Sequence, residues 1–348
     1  MSVQSGPALA RGLERFLSLS WDHEVQVRDL SFSTAGARRV NALFDAHGLQ
    51  DHLELCATIS ADASSTRSLD VEASVRSLAE GFGVPVPHVY LVCLDDSFVG
   101  GPFFVSQRVS GESIPRRVLR VVSEHSLGAR LGYQLGEVLG QIHSISLDDV
   151  PTEVESYDGL NPAEAEFIRA ERRLSELAEP RPSLSFGIRW LEKRLPDPPE
   201  TRSLVHGDVR NGNIIVGEDG LRALLDWEKC SRDDDPMKDL AWPTLRMWRF
   251  GQDDHEVGGF ATLDDYVAGY RAAGGVFDEQ RFRWWKTMRT VQWGLGLAGQ
   301  AHTFIQGAST SLVMAASGRR VVEVEWDVLM LTNPTTHPDS YNKDKENS

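Results

Sequence analysis

The sequence predicts an α+β fold in two lobes, a small β-rich one followed by a larger and mainly helical one. Three observations predict it. Short apolar runs of strand character, broken by one helical segment, fill the chain up to about Arg108. After Gly111 the apolar residues take up the spacing of long helices. One β-rich stretch, residues 204–226, interrupts those helices. At 348 residues, 41% of them hydrophobic, the chain can give each lobe a core.

Residues 25–32, 40–46 and 53–59 read as strands. From 69 to 82 the apolar positions Val71, Val75, Leu78, Ala79 and Phe82 recur at helical spacing. Gly81, Gly83, Pro85 and Pro87 then stop the helix. Residues 89–94 and 103–109 resume as strands around the turn formers Asp95, Asp96, Gly100 and Gly101. Helices are expected at 127–142, 162–177 and 184–195. After the β interruption they return at 240–250, 263–273, 279–301 and on to about 331. Six of the nine tryptophans (Trp242, Trp248, Trp284, Trp285, Trp293, Trp326) fall in this last part and are expected to fill its core. The expected division is a lobe over 1–108, a lobe over 109–331 and a polar, disordered tail over 332–348.

The net charge is −15. A nucleic-acid binder needs a basic face to displace counterions, and no segment supplies one. Acidity fits a soluble protein and mildly favours a cationic substrate. Cys56, Cys93 and Cys230 are far apart and form no Cys-x-x-Cys pair, which suits a reducing cytoplasm. Residues 1–11 lack the apolar core of a signal peptide, and no apolar run approaches the roughly 18 residues of a membrane span. A cytoplasmic protein without membrane or nucleic-acid partners is expected. The sequence carries no signal for oligomeric state.

Chemistry concentrates in residues 204–228. Ile214 to Val216 and Leu221 to Leu225 are apolar runs joined by Gly217-Glu-Asp-Gly220, the pattern of a β-hairpin. If Val216 pairs with Leu221, Asn213 faces Leu224 and lies beside Asp226 at the hairpin's open end. A carbonyl oxygen and a carboxylate there suit Mg²⁺. Asp208 sits five residues before Asn213, between Gly207 and Gly212, and can aim its carboxylate beside the metal. Phosphoryl transfer needs charge neutralisation, plus a carboxylate that orients the acceptor hydroxyl and takes its proton. Asp208 suits that second task, and Arg210 places a fixed positive charge near the transferring group. Each piece alone reads as a turn; His-x-Asp-x-x-x-x-Asn, a hairpin and a following Asp read jointly as a phosphoryl-transfer site.

With those residues in place, the chain resembles the aminoglycoside phosphotransferase and choline kinase superfamily, which shares the protein-kinase-like fold. His206-Gly-Asp208…Asn213 is similar to its catalytic loop and Asp226-Trp-Glu228 to its metal-binding segment. Asp235-Pro-Met-Lys-Asp239 is similar to the segment that follows. Within the superfamily, Gly83-Val-Pro-Val-Pro87 and Gly101-Pro-Phe-Phe-Val105 most resemble a branch of bacterial phosphotransferases and the kinase-like domains fused to some acyl-CoA dehydrogenases. The resemblance implies Asp208 as base, Asn213 and Asp226 as Mg²⁺ ligands, and Arg210 where protein kinases keep a γ-phosphate lysine. It also implies an adenine-contacting linker from Gln107 to Val109, and bracing roles for His206 and Asp239.

The resemblance breaks at two places. The phosphate-covering turn offers only Gly36. The strand expected to carry a phosphate-pairing cation reads Leu53-Glu-Leu-Cys-Ala-Thr-Ile59 and has none. Glu72 matches the glutamate that normally holds that cation, with Arg76 one turn on as its local partner, and Arg38, Arg39 or Arg67 as candidate replacements. The implied function is an ATP- or GTP-dependent phosphotransferase acting on a hydroxyl of a small molecule. The alternatives are a degenerate nucleotide- or metabolite-binding relative, or a transferase with a different phosphorylated donor.

Overall fold

The computed structural model describes residues 6–33, 39–48, 52–60 and 69–333. The chain opens with a helix, α1 (Pro7–Trp21), so the first lobe holds a second helix beyond the one expected from its strand-rich sequence. Proline suits its first turn, and Leu9, Leu13, Phe16 and Leu17 make one buried face. Asp22, in the left-handed conformation, ends it.

β1 (Gln26–Ser33), β2 (Arg39–His47), β3 (Leu53–Ser60), β4 (Val89–Cys93) and β5 (Phe103–Gln107) form one antiparallel sheet in the order β1-β2-β3-β5-β4. Alternation assigns its two faces. Leu55, Ala57, Ile59, Phe103 and Val105 point into the core shared with α1. On the other face Phe104 packs against Leu69 and Ala73 of α2 (Leu69–Gly81). The register sets Arg39 opposite Ser60, Asn41 opposite Thr58 and Leu43 opposite Cys56. Thr58 donates a 2.9 Å hydrogen bond to Asn41 on that α2-side face.

A short linker leads to α3 (Pro115–Glu124), a helix the sequence reading did not anticipate. The linker is stitched to the second lobe because Glu112 and Val216 exchange two backbone hydrogen bonds of 2.9 Å. Gly111 makes this approach possible. Its φ is +143°, and a side chain there would lie 2.6 Å from Ile215 Cγ2.

The helices α4 (Gly128–His143), α5 (Pro162–Ser175) and α6 (Pro182–Glu192) follow. Then come β6 (Ser203–Val205), β7 (Ile214–Gly217), β8 (Gly220–Leu224) and β9 (Ser231–Asp234). β6 pairs with β9, and β7 with β8. Helices α7 (Pro236–Ala241), α8 (Leu263–Ala272), α9 (Glu279–Ile305) and α10 (Leu312–Thr332) complete the described chain. The helix expected over 240–250 is instead the end of α7 followed by two 3₁₀ turns, Trp242–Thr244 and Arg246–Trp248. Pro243 has no N–H to continue an α-helical ladder, so the chain tightens there.

One core runs through α2, α4, the β7–β8 hairpin, α7 and α9, and includes Trp284 and Trp285. Trp242, Trp248 and Trp293 pack together beside it. Trp326 is a correction: it is 60% exposed on α10. No helix among the described residues is long and apolar enough to cross a membrane.

Candidate active site

The loop of residues 206–213 leaves β6 and turns sharply. Gly207 has φ +82°, and a Cβ on it would stand 2.4 Å from the carbonyl oxygen of Lys229. A glycine is therefore required where this loop meets the Asp226–Lys229 segment. His206 is fully buried and ties the two together. Its Nε2 donates to the Leu225 carbonyl at 3.1 Å, and its Nδ1 accepts the Asp208 N–H at 3.2 Å. Burial pushes its pKa below the ordinary value, which matches that neutral tautomer.

Asp239 of α7 holds the loop from beneath. Its carboxylate accepts the backbone N–H groups of His206 and Gly207, each at 2.7 Å, and His143 Nε2 at 3.3 Å. His143 is itself fixed by the Tyr270 hydroxyl at 3.0 Å. Burial alone would raise the Asp239 pKa. The bonds from His143 and from the backbone outweigh it and hold the group ionised.

Asp208 is only 3% exposed. Its Oδ1 accepts the Trp242 indole N–H at 2.7 Å and lies 3.4 Å from Arg210 Nε. Its Oδ2 accepts from Asn213 Nδ2 at 3.0 Å and lies 3.5 Å from Lys229 Nζ. Burial pushes its pKa up, but Lys229, Arg210 and the Trp242 hydrogen bond carry the net shift below the ordinary aspartate value. Arg210 stacks over the Trp248 ring at 4.7 Å, and Arg289 over Trp242 at 4.0 Å. Arg289 also donates to the Gly207 carbonyl at 2.6 Å.

The hairpin carries the metal-ligand candidates. Val216 pairs with Leu221 as the sequence suggests, but a bulge between Ile215 and Val216 shifts the remaining register. Asn213 therefore lies opposite Leu225, whose N–H it accepts at 2.8 Å, and not opposite Leu224. The shift brings Asn213 one residue closer to Asp226. Both N–H donations of the Asn213 amide go to Asp208, to its carbonyl at 2.9 Å and to Oδ2. The amide oxygen is thereby turned away from Asp208. Asp226, at φ +63°, forms no ion pair among the described residues. A carbonyl oxygen and a carboxylate not engaged by any described cation are the hard donors that Mg²⁺ prefers, so the residues present fit that ion. Elsewhere, Asp45, His47 and His52 also come together among the described residues. Arg108 lies 3.0 Å from Asp45 there, and its charge opposes a bound cation.

In the linker after β5, the Gln107 N–H is taken by the His88 carbonyl at 2.8 Å and the Arg108 N–H by the Glu54 carbonyl at 2.9 Å. Of this linker, Val109 keeps an N–H with no backbone partner among the described residues. Gly36, Arg38 and Arg67 lie outside the described residues. Glu72 is 2% exposed, and its close partner is Arg39 of β2, not Arg76. Arg76 instead donates to the Pro87 carbonyl at 2.8 Å and stacks on Phe104. Asp208, Arg210, Asn213 and Asp226 thus share one locus, Gln107 and Val109 the linker, and Glu72 the facing helix.

Sequence reasoning did not pick out Trp242, Lys229, His143 or Arg289 for this locus. Lys229 follows Asp226-Trp-Glu directly and was the one within reach of a local reading. Two nearby carboxylates are engaged in ion pairs: Asp233 with Arg202 at 2.9 Å and buried Asp234 with Lys238 at 2.7 Å. An open cavity of about 660 Å³ lies beside Met247, with Pro115, Arg116, Arg246, Phe250 and Arg320 in its wall. It adjoins the loop that carries Asp208, since Pro115 Cγ comes within 3.4 Å of where a Gly212 Cβ would stand.

Comparison with known proteins bears on the family and the fold. Acyl-CoA dehydrogenase family member 11 from Pongo abelii is 29% identical over 220 residues, covering 60% of this chain and 28% of that protein. Acyl-CoA dehydrogenase family member 10 from Mus musculus is 26% identical over 282 residues, covering 76% of this chain and 26% of that protein. The chain thus spans little more than a quarter of the length of these curated relatives. Among solved structures, a putative aminoglycoside phosphotransferase from Ralstonia eutropha superposes with a TM-score of 0.63 at 20% identity, over 91% of this chain and 97% of the other. Spectinomycin phosphotransferase, solved with ADP and spectinomycin, gives 0.64 at 14% identity, over 93% and 99%. The fold is that of the two-lobed kinase-like phosphotransferases. A model of the phosphotransferase enzyme family matches residues 37–285, and the chain belongs to that family.

Proposed function

We propose that the protein transfers the γ-phosphoryl group of ATP or GTP to a hydroxyl of a small molecule. The observation that carries this reading is a buried, ionised Asp208 beside two oxygen donors, Asn213 and Asp226, that no described cation engages. ADP or GDP in solved neighbours supports a nucleotide donor. Mg²⁺, held by Asn213 and Asp226, would neutralise the phosphate charge. Asp208 orients the acceptor hydroxyl and takes its proton. The acceptor oxygen bonds to phosphorus as the bond to the β-phosphate oxygen breaks, and the nucleoside diphosphate leaves. Arg210 and Lys229, on either side of Asp208, offset developing negative charge. The Val109 N–H and Gln107 carbonyl meet the base.

The acceptor fits the cavity beside Met247. Its wall balances Arg116, Arg246 and Arg320 against Asp253, Glu323 and Asp327, so nothing in it selects a polycation. The lack of a cation on β3 favours a second reading, a nucleotide binder without turnover. One experiment separates the two. Mg²⁺ with ATP or GTP at 100-fold over its dissociation constant stabilises either protein by about 2.7 kcal/mol. Only the kinase then releases nucleoside diphosphate in step with a hydroxylated acceptor, across a panel of neutral and anionic alcohols. Stabilisation without acceptor-dependent release across that panel contradicts the kinase reading.

A further inference from the structure

The face of β3 that looks toward α2 carries Cys56, Thr58 and Ser60, and none can pair a phosphate as a cation. The neighbouring strand supplies what β3 lacks. Residues directly opposite in an antiparallel pair project to the same face, and Arg39 is opposite Ser60. Its guanidinium meets Glu72 of α2 through one terminal nitrogen. The other lies 3.6 Å from Glu228, two residues after Asp226. Arg39 therefore joins the helix of the first lobe to the metal-binding segment of the second.

We propose that Arg39, delivered from β2, is the cation that pairs the nucleotide's β- and γ-phosphates, with Glu72 and Glu228 holding its guanidinium from two sides. The inference rests on the nucleotide-binding reading above and deepens it. A guanidinium carries five N–H donors in a rigid fork, so two flanking carboxylates leave it able to face a third anion. Its side chain keeps 12% exposure, whereas Glu72 keeps 3%, so the pair is open on the arginine side. A lysine on β2 would present a point charge without the fork, which explains why this placement uses arginine.

The purely structural account is that Arg39 only neutralises a buried Glu72. Titration calorimetry with ATP and with adenosine, which shares the base but has no phosphates, separates the two. Arg39→Met is expected to weaken Mg²⁺-ATP binding by about 10–100-fold, the scale of one or two charge-assisted bonds, and to leave adenosine affinity unchanged. Arg39→Lys is expected to recover part of the loss. Glu72→Gln keeps shape and removes the charge that positions the fork. It is expected to lower ATP affinity while sparing adenosine, and it serves where Arg39→Met does not fold. An unchanged ratio of ATP to adenosine affinity in these variants, with wild type binding both, overturns the role of Arg39 and leaves the nucleotide site standing. Failure of wild type to bind either ligand overturns the site itself and this inference with it.

Discussion

Asp208→Asn is expected to fold, to bind Mg²⁺-nucleotide and to transfer phosphate about 10²–10⁴-fold more slowly than wild type, the usual contribution of a positioned general base. The asparagine keeps the size of the side chain and an oxygen for the Trp242 indole N–H. It loses the proton acceptor and the charge facing Lys229 and Arg210. Single-turnover measurement with saturating nucleotide isolates the step. A rate within a few-fold of wild type would mean that Asp208 is only a loop residue. The pH profile carries a second consequence. Because Asp208 is held below its ordinary value of 3.8, any acid limb it causes in wild-type kcat/KM has its midpoint below that pH.

Asp239→Ala is expected to cost on the order of 3–5 kcal/mol of stability. The change leaves the buried N–H groups of His206 and Gly207 without acceptors and frees His143 from its carboxylate. The sign of the pH effect follows from the depressed folded-state pKa. The stabilisation is complete above the unfolded value near 3.8 and fades as pH falls through the lower folded value. Urea unfolding should thus give a constant gap between wild type and variant from neutrality to about pH 5, shrinking under stronger acid. A gap near zero at neutral pH would show that the loop does not depend on this carboxylate. Activity falls as well, because the same two N–H groups fix the direction of Asp208.

What the sequence made legible is what lies close along the chain. His206 to Asn213 and the hairpin to Asp226 are local, and turn chemistry with alternation places them within one residue. The one-residue difference, Asn213 opposite Leu225 and not Leu224, comes from a bulge that apolar patterning does not encode. Trp242, His143 and Arg289 are not legible as neighbours of this loop because packing of the 3₁₀ turn after α7, of α4 and of α9 brings them in from distant positions. The Glu72 partner was read as the helical neighbour Arg76. Strand pairing instead puts Arg39 within reach, and Arg76 turns to a backbone carbonyl. α1 is a different case, since Leu9, Leu13, Phe16 and Leu17 do recur at helical spacing.

The central claim is that Asn213 and Asp226 seat a divalent ion that joins the nucleotide to Asp208. Nucleotide affinity measured with and without Mg²⁺, in wild type and in Asp226→Asn, tests it most directly. Asparagine tolerates the left-handed backbone at this position, so the substitution removes charge without straining the turn. The account predicts that Mg²⁺ tightens ATP binding in wild type and that this gain largely disappears in Asp226→Asn, while binding of metal-free nucleotide is unchanged. An equal gain from Mg²⁺ in both proteins would contradict it.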